Sequence, residues 1–228
     1  MAITWQTGPF SARAWDAVAP ILERIDRLPL LVELADGTLA EGSFVEYIVQ
    51  DDFYLRGYSR ALAMLATRAP TPEASAFWAR SAGTAAMAEM QMHAALLNDP
   101  LLAGVPHAAS PSPTTRLYVN TLQTSAAYDP YPVGVAAVLP CYWVYGDVGA
   151  RLAAEASVVE GHPYAAWVAT YADPGFLAVV QEAISLLDAA ASDSDEATRT
   201  RMLEAFVDAT RCEELFWERS YVREAWSV

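Results

Sequence analysis

The sequence predicts an all-α protein, and two observations carry this prediction. Apolar residues recur at the 3.6-residue period of an amphipathic helix, and no segment alternates convincingly between apolar and polar residues as a half-buried strand does. Hydrophobic residues make up 54% of the 228 residues, and alanine supplies much of that share, which is typical of closely packed helices. A chain of this length is sufficient for one large core, so we expect residues 1–228 to form a single domain.

Prolines, glycines and polar turns divide the chain into helical segments. The first predicted helix runs from Phe10 to Leu31 with a bend at Pro20, and a turn at Leu34 to Leu39 follows. The other predicted helices run from Glu41 to about Arg68, from after Pro72 to about Leu97, from Thr114 to about Ala126, through Cys141 to about Val159, around Trp167, from about Gly175 to Ala191, and from about Glu196 to near the C-terminus. The apolar run Val135 to Leu139 has the length of a buried strand, but its alanines favour helix.

Charge excludes several classes of function. The net charge is −14, and all 14 basic residues are arginine, so nucleic acid is not an expected partner. The absence of lysine excludes a lysine Schiff base.

Charges or prolines interrupt each apolar run before the roughly 18–20 residues that cross a bilayer, and the N-terminus does not resemble a secretory signal. We therefore expect a cytoplasmic protein without membrane contact, in which Cys141 and Cys212 form no disulfide.

The segment Pro140-Cys141-Tyr142-Trp143-Val144-Tyr145 is the most informative part of the sequence. Residues four apart lie on one face of a helix, so Cys141 and Tyr145 should face the same space. Pro140 cannot donate a backbone hydrogen bond, so we expect the helix to bend beside the thiol. This arrangement suggests a pocket with a nucleophile, although a lone cysteine on a helix is more often a small buried hydrophobe.

A stripe of tyrosines on the helix after Glu41 contains one carboxylate. Tyr47, Asp51, Tyr54 and Tyr58 follow one another at spacings of four, three and four. Burying a carboxylate is costly unless it is paired, so Asp51 is either a solvated or capped acid beside Asp52 or a hydrogen-bond acceptor for a ligand between aromatic rings.

The last helix repeats this pattern with Glu213, Phe216 and Trp217 at i, i+3 and i+4. A glutamate buried against two aromatic rings has a raised pKa and serves as a general acid or base near neutral pH. Taken alone, a surface glutamate is the commoner outcome for such a residue.

Metal binding has little support in the sequence. Glu89 and His93 lie four apart on a predicted helix, a spacing that can ligate iron or zinc. The other histidines, His107 and His162, lie in loops flanked by prolines, so no second pair completes a site.

Several segments together resemble one family, the TenA-type proteins (thiaminase II, aminopyrimidine aminohydrolase). The matching segments are Leu34-Ala35-Asp36-Gly37-Thr38-Leu39, Phe44-x-x-Tyr47-x-x-Gln50-Asp51-x-x-Tyr54-Leu55, Pro140-Cys141-Tyr142-Trp143-x-Tyr145, Trp167-x-x-x-Tyr171 and Glu213-x-x-Phe216-Trp217. Each is weak alone, but they occur in the family's order and span nearly the whole chain.

The resemblance implies a fold, an activity and a set of site residues. The fold is a haem-oxygenase-like helical bundle, usually a homotetramer, without haem or metal. The activity is cleavage at the 5-methylene carbon of a 4-aminopyrimidine. By motif, Cys141 would be the nucleophile, Glu213 the acid/base beside the ring nitrogens and Asp51 the ligand of the ring's amino group. The residues that would line or order the pocket are Tyr54, Tyr118, Tyr145, Tyr171 and Phe216, of which Tyr118 lies in the weakest motif.

The sequence departs from the family pattern at Asp52-Phe53 and Gly146-Asp147, which removes no proposed catalytic group but could change substrate preference. Two other classes of function stay open at this point. One is a metal-dependent oxygenase on the same fold, and the other is a non-catalytic protein that binds the aminopyrimidine without turnover.

Overall fold

All regular secondary structure in the described part of the chain is helical, as the sequence predicts. The computed structural model describes residues 3–98, 104–157, 159–169 and 173–227, without the side chains of 88–98 and 166. The helices are α1 (Pro9–Ile25), α2 (Pro29–Asp36), α3 (Glu41–Arg68), α4 (Pro72–Asn98), α5 (Pro113–Tyr128), α6 (Tyr131–Ala156), α7 (Ala165–Ala169), α8 (Pro174–Ser192) and α9 (Glu196–Tyr221).

The single helix predicted from Phe10 to Leu31 is wrong, because the chain breaks there into α1 and α2. Pro20 lies inside α1, and the break falls instead at 26–28. Pro29 forces the preceding residue, Leu28, into an extended conformation (φ −63°, ψ 130°), so α1 must end before it. The following turn also starts later than predicted, since α2 continues to Asp36 and ends at Gly37, whose φ of 72° suits glycine.

Helix α6 lies at the centre of the bundle and contacts α2, α3, α5, α7, α8 and α9. Most of its residues from Val133 to Gly149 are buried, including the run Val135 to Leu139, which is helical as predicted. Small residues allow this close packing: a Cβ on Gly134 would lie 2.8 Å from Leu65 Cδ2. The helix continues through Pro140, so Cys141 is placed in the middle of the bundle.

Within the part of the chain that the structure describes, two helices have the length and mean hydropathy of membrane spans, namely α6 and α8, each with a mean hydropathy of 1.3. The apolar window of α6 is 83% buried among the other helices, as expected for the core helix of a folded domain. In α8 the corresponding fraction is 33%, but Asp188 of that helix binds the N-terminus of α1. Length and composition are therefore weak evidence for a membrane segment here.

Candidate active site

Three residues that the sequence singled out for chemistry lie close together in the core. Asp51 comes from α3, Cys141 from α6 and Glu213 from α9, and α6 packs directly against the other two helices. The charge of Asp51 raises the pKa of both Cys141 and Glu213, and the charge of Glu213 raises that of Cys141. These groups are thus near enough to influence one another's ionisation.

Glu213 is almost fully buried, with 1% of its surface exposed. Burial raises its pKa to about 8, although a hydrogen bond from Tyr118 opposes the shift. The Tyr118 hydroxyl donates to Glu213 Oε1 at 2.5 Å. Glu213 is therefore mostly protonated at neutral pH and can still give up its proton near pH 8, as a general acid or base must. The alternative of a surface glutamate is wrong.

Asp51 is also buried, with 5% of its surface exposed. Burial, and secondarily the charge of Asp52, raises its pKa to about 7. Asp52 itself pairs with Arg56 at 2.7 Å. The alternative of a solvated or capped aspartate is wrong, since Asp51 is buried inside α3 and its charge raises the pKa of Cys141 and Glu213.

The thiol of Cys141 is partly buried. Burial raises its pKa well above the ordinary value, and the charges of Glu213 and Asp51 add to this, while the hydroxyls of Tyr54 and Tyr58 lower it. The Tyr54 hydroxyl is buried, and within the described residues it has no hydrogen-bond partner of ordinary geometry. The resting thiol is thus protonated, and the surrounding tyrosines are the groups that favour its ionisation.

The described histidines lie away from this chemistry, whereas the other cysteine, Cys212, directly precedes Glu213. Cys212 is buried and its pKa is raised to about 12 by burial, which fits its interpretation as a small hydrophobe. His162 hydrogen-bonds the carbonyl of Leu34 through Nε2 at 2.8 Å, and His107 lies exposed beside Ala108. Neither contacts Cys141, so the structure offers no Cys-His pair among the described residues.

Aromatic rings surround the three chemical groups. The Tyr54 ring lies 4.9 Å from that of Tyr118 and 5.6 Å from that of Phe216. Tyr145 contacts the Tyr47 hydroxyl at 3.3 Å through its own hydroxyl, and Tyr47 in turn contacts Phe216. The structure thus brings Tyr54, Tyr118, Tyr145 and Phe216 into one cluster. Tyr171 lies outside the described residues, so its role stays a prediction.

The cluster contains further residues to which the sequence analysis gave no role. The Tyr58 ring stacks 5.4 Å from that of Tyr54, and its hydroxyl donates to the Val138 carbonyl at 2.9 Å. The Tyr47 ring meets Trp167 edge-on at 5.3 Å. Tyr47 and Tyr58 were recognisable from the helical stripe around Asp51, whereas the contact with Trp167 of α7 joins distant parts of the chain and has no local signal.

The size of the surface cavities does not locate the site. The larger groove, of about 510 Å³, lies between α5, α6 and α9 and is lined by none of Asp51, Cys141 and Glu213. A cavity of about 10 Å³ adjoins the aromatic cluster beside Tyr47, Tyr145 and Trp217. We define the site by the chemical groups, because the groove contains no comparable set of buried ionisable residues.

The described residues contain no group of three or more histidine, cysteine, aspartate or glutamate side chains placed to hold a metal ion. The side chains of Glu89 and His93 lie outside the described residues, so their possible pairing stays untested.

Known proteins resemble this chain along most of its length. It is 37% identical over 221 residues to the thiamine biosynthesis multifunctional protein ThiED of Corynebacterium efficiens, covering 96% of this chain and 29% of that protein. It is 33% identical over 203 residues to the aminopyrimidine aminohydrolase of Bacillus subtilis, covering 87% of this chain and 84% of the relative. The chain thus spans less than a third of the Corynebacterium relative but most of the Bacillus one.

Solved structures show the same fold. A TenA homologue from P. horikoshii OT3 has a TM-score of 0.81 at 22% identity, covering 93% of this chain and 98% of that one. A TenA homologue from Pyrococcus furiosus has a TM-score of 0.82 at 19% identity, with 92% and 99% covered. At this level of identity the likeness supports the helical-bundle fold. The profile of the TENA/THI-4/PQQC family matches residues 15–223, and the chain belongs to that family.

Proposed function

We propose that this protein is an aminopyrimidine aminohydrolase of the thiaminase II type. It hydrolyses 4-amino-5-aminomethyl-2-methylpyrimidine to the 5-hydroxymethyl compound and ammonia, as a step in thiamine salvage. The proposal is supported by the burial of Asp51 and Glu213, by the hydrogen bond of Tyr118 to Glu213 and its ring contact with Tyr54, and by the influence of both carboxyl groups on the pKa of Cys141. The Bacillus subtilis relative named aminopyrimidine aminohydrolase supports the reaction class.

The buried groups match what such a substrate presents. A protonated Glu213 donates its proton to a ring nitrogen, which makes the ring electron-poor, and the Asp51 carboxylate accepts a hydrogen bond from the ring's amino group. The aromatic rings hold the flat heterocycle and exclude water from the thiol.

The reaction then proceeds through covalent addition. The Cys141 proton passes to the 5-methylene amine of the substrate while the sulfur forms a bond to a ring carbon, and the electron-rich adduct then expels the protonated amine as ammonia. Water adds to the resulting methylene carbon, and elimination of the Cys141 sulfur restores the aromatic ring. One substrate and one water give one alcohol and one ammonia. No metal or organic cofactor is part of the proposed scheme.

Ammonia release from the aminomethylpyrimidine tests this proposal. Cys141→Ser should lose at least about a hundredfold in kcat/KM, because an alcohol is a far weaker nucleophile than a thiolate. Cys212→Ala is the matched control and should retain most of the activity. Full turnover by Cys141→Ser would remove the nucleophile assignment.

Assays on the same purified protein distinguish the proposed hydrolase from the two alternative functions. Tight binding of the pyrimidine without ammonia release by the wild type would favour a non-catalytic binding protein, and stoichiometric metal in active protein would favour an oxygenase. Intact thiamine, which carries a thiazolium at the same carbon, should be assayed beside the amine as a second substrate. The homotetramer that the family resemblance implies and the cytoplasmic location expected from the sequence belong to the same proposal, and light scattering tests the assembly.

A further inference from the structure

A buried polar network joins α3 to the start of α5 at the edge of the candidate active site. Its central residues are Gln50 of α3 and Thr115 of α5, each with 1% of its surface exposed. A side chain buried to this degree is stable only when its polar atoms find partners. The partners of Gln50 therefore show what its amide holds in place.

Gln50 bonds to two residues at the start of α5, to one on its own helix and, at 3.5 Å, to the carbonyl of Ser110 in the segment before α5. Its Oε1 accepts from the Thr115 hydroxyl at 2.7 Å and from the Ser112 backbone N–H at 2.9 Å. Its Nε2 donates to Glu46 Oε1 at 2.9 Å, and Glu46 Oε2 accepts from the Ala108 N–H at 3.1 Å. The amide oxygen is thus fully used in fixing the first turn of α5 on α3.

Both ends of this network lie next to residues of the site. Gln50 precedes Asp51 and lies four residues before Tyr54, and Thr115 lies three residues before Tyr118, so each is about one helical turn from a site tyrosine. The rings of those two tyrosines are 4.9 Å apart.

Tyr118 is the residue through which the network can reach the acid/base group. The titratable groups that interact with Glu213 are Tyr118 from α5, Asp51 and Tyr54 from α3, Cys141 from α6 and Cys212 from its own helix. Only the first of these donates a hydrogen bond to it among the described residues, at 2.5 Å. Tyr118 belongs to α5, so the docking of α5 against the bundle determines whether its hydroxyl reaches the Glu213 carboxyl.

We propose that Gln50 and Thr115 are positioning residues: their hydrogen bond fixes α5 on α3 so that the Tyr118 hydroxyl reaches Glu213. The expected effect on activity rests on the proposed function, whereas the position of the Tyr118 hydroxyl rests on the hydrogen bonds alone. If the network only stabilised the fold, its loss would weaken the protein without acting through Tyr118.

The test compares Thr115→Val, which removes the hydroxyl at nearly constant shape, with Thr115→Ser, which restores it. Thr121→Val is the matched control, because the Thr121 hydroxyl bonds to the Leu117 carbonyl of its own helix. We expect Thr115→Val to lower kcat/KM for ammonia release about fivefold, as the loss of one buried hydrogen bond implies, and Thr115→Ser and Thr121→Val to stay near wild type. Since the Tyr118 hydroxyl lowers the pKa of Glu213, Thr115→Val should also raise that pKa.

A double-mutant cycle with Tyr118→Phe decides the mechanism. In the Tyr118→Phe background, Thr115→Val should cause no further change in kcat/KM or in its pH profile. An equal loss in both backgrounds would overturn the proposal, because the network would then act independently of Tyr118.

A titration of Glu213 by ¹³C NMR of glutamate-labelled protein, assigned with Glu213→Gln, requires no turnover. If the wild type releases no ammonia, the proposed function is wrong. The titration then tests by itself whether Gln50 and Thr115 position Tyr118. A Glu213 pKa that rises in Thr115→Val and returns in Thr115→Ser supports the proposal, and an unchanged pKa overturns it.

Discussion

Replacing Glu213 by glutamine should stabilise the folded protein while abolishing its proposed activity. Glutamine keeps the shape of the side chain, and its carbonyl oxygen can still accept the hydrogen bond from Tyr118. What it removes is the ionisation of a carboxyl group in a site that is almost inaccessible to water.

The magnitude follows from the two pKa values. Glu213 has a pKa of about 8 in the folded chain against an ordinary value of 4.5, so between these values the folded state holds a proton that the unfolded state has released. The free energy of unfolding therefore falls as pH rises through this window. Compared with a side chain that never ionises, Glu213 lowers the free energy of unfolding by about 1 kcal/mol at pH 5, about 3 kcal/mol at pH 7 and about 4 kcal/mol at pH 8.

Urea denaturation of the wild type and Glu213→Gln at pH 5, 6, 7 and 8 measures this difference. The stability advantage of the variant should grow by about 3 kcal/mol from pH 5 to pH 8. The control is Glu218→Gln, which changes a half-exposed glutamate of the same helix. A difference between wild type and Glu213→Gln that does not change with pH would refute the reasoning, because it would mean that Glu213 ionises normally in the folded protein.

Two other predictions concern packing and helix ends. A Cβ on Gly57 would lie 2.3 Å from Val119 Cγ1, whereas one on Gly83 would meet nothing within 4 Å. We therefore expect Gly57→Ala to lower the free energy of unfolding by about 1–3 kcal/mol and Gly83→Ala to raise it by about 0.5–1 kcal/mol. Thermal unfolding measures both changes. Equal effects of the two changes would contradict the close approach of α5 to α3. Asp188 of α8 accepts hydrogen bonds from the backbone N–H groups of Gly8 and Ser11 at 2.9 Å each. Asp188→Ala should lower the free energy of unfolding by about 1–2 kcal/mol, as removal of a helix N-cap does, and an unchanged denaturation midpoint would show that this contact contributes nothing.

The sequence by itself determined the helices and much of the chemistry. The period of apolar residues predicted α3 and α9 to within a few residues, because that signal is local and strong in long helices. The stripes around Asp51 and Glu213 were visible for the same reason, since residues three and four apart share a helix face. The break between α1 and α2 was not predicted, because the sequence analysis assigned the effect on the helix to Pro20 and not to Pro29. Pro20 was accommodated within α1, whereas Pro29 forced an extended residue before it.

Only the tertiary structure decided which stripes face the same space and how deeply their charges are buried. No local pattern distinguishes a surface glutamate from one with a pKa of about 8, because the shift comes from side chains that other helices contribute. Tyr118 shows this most clearly. Its motif was the weakest in the sequence, yet α5 brings it to 2.5 Å from Glu213, 95 residues further along the chain. A helix period fixes which face a residue occupies, but the docking of one helix on another fixes what that face meets.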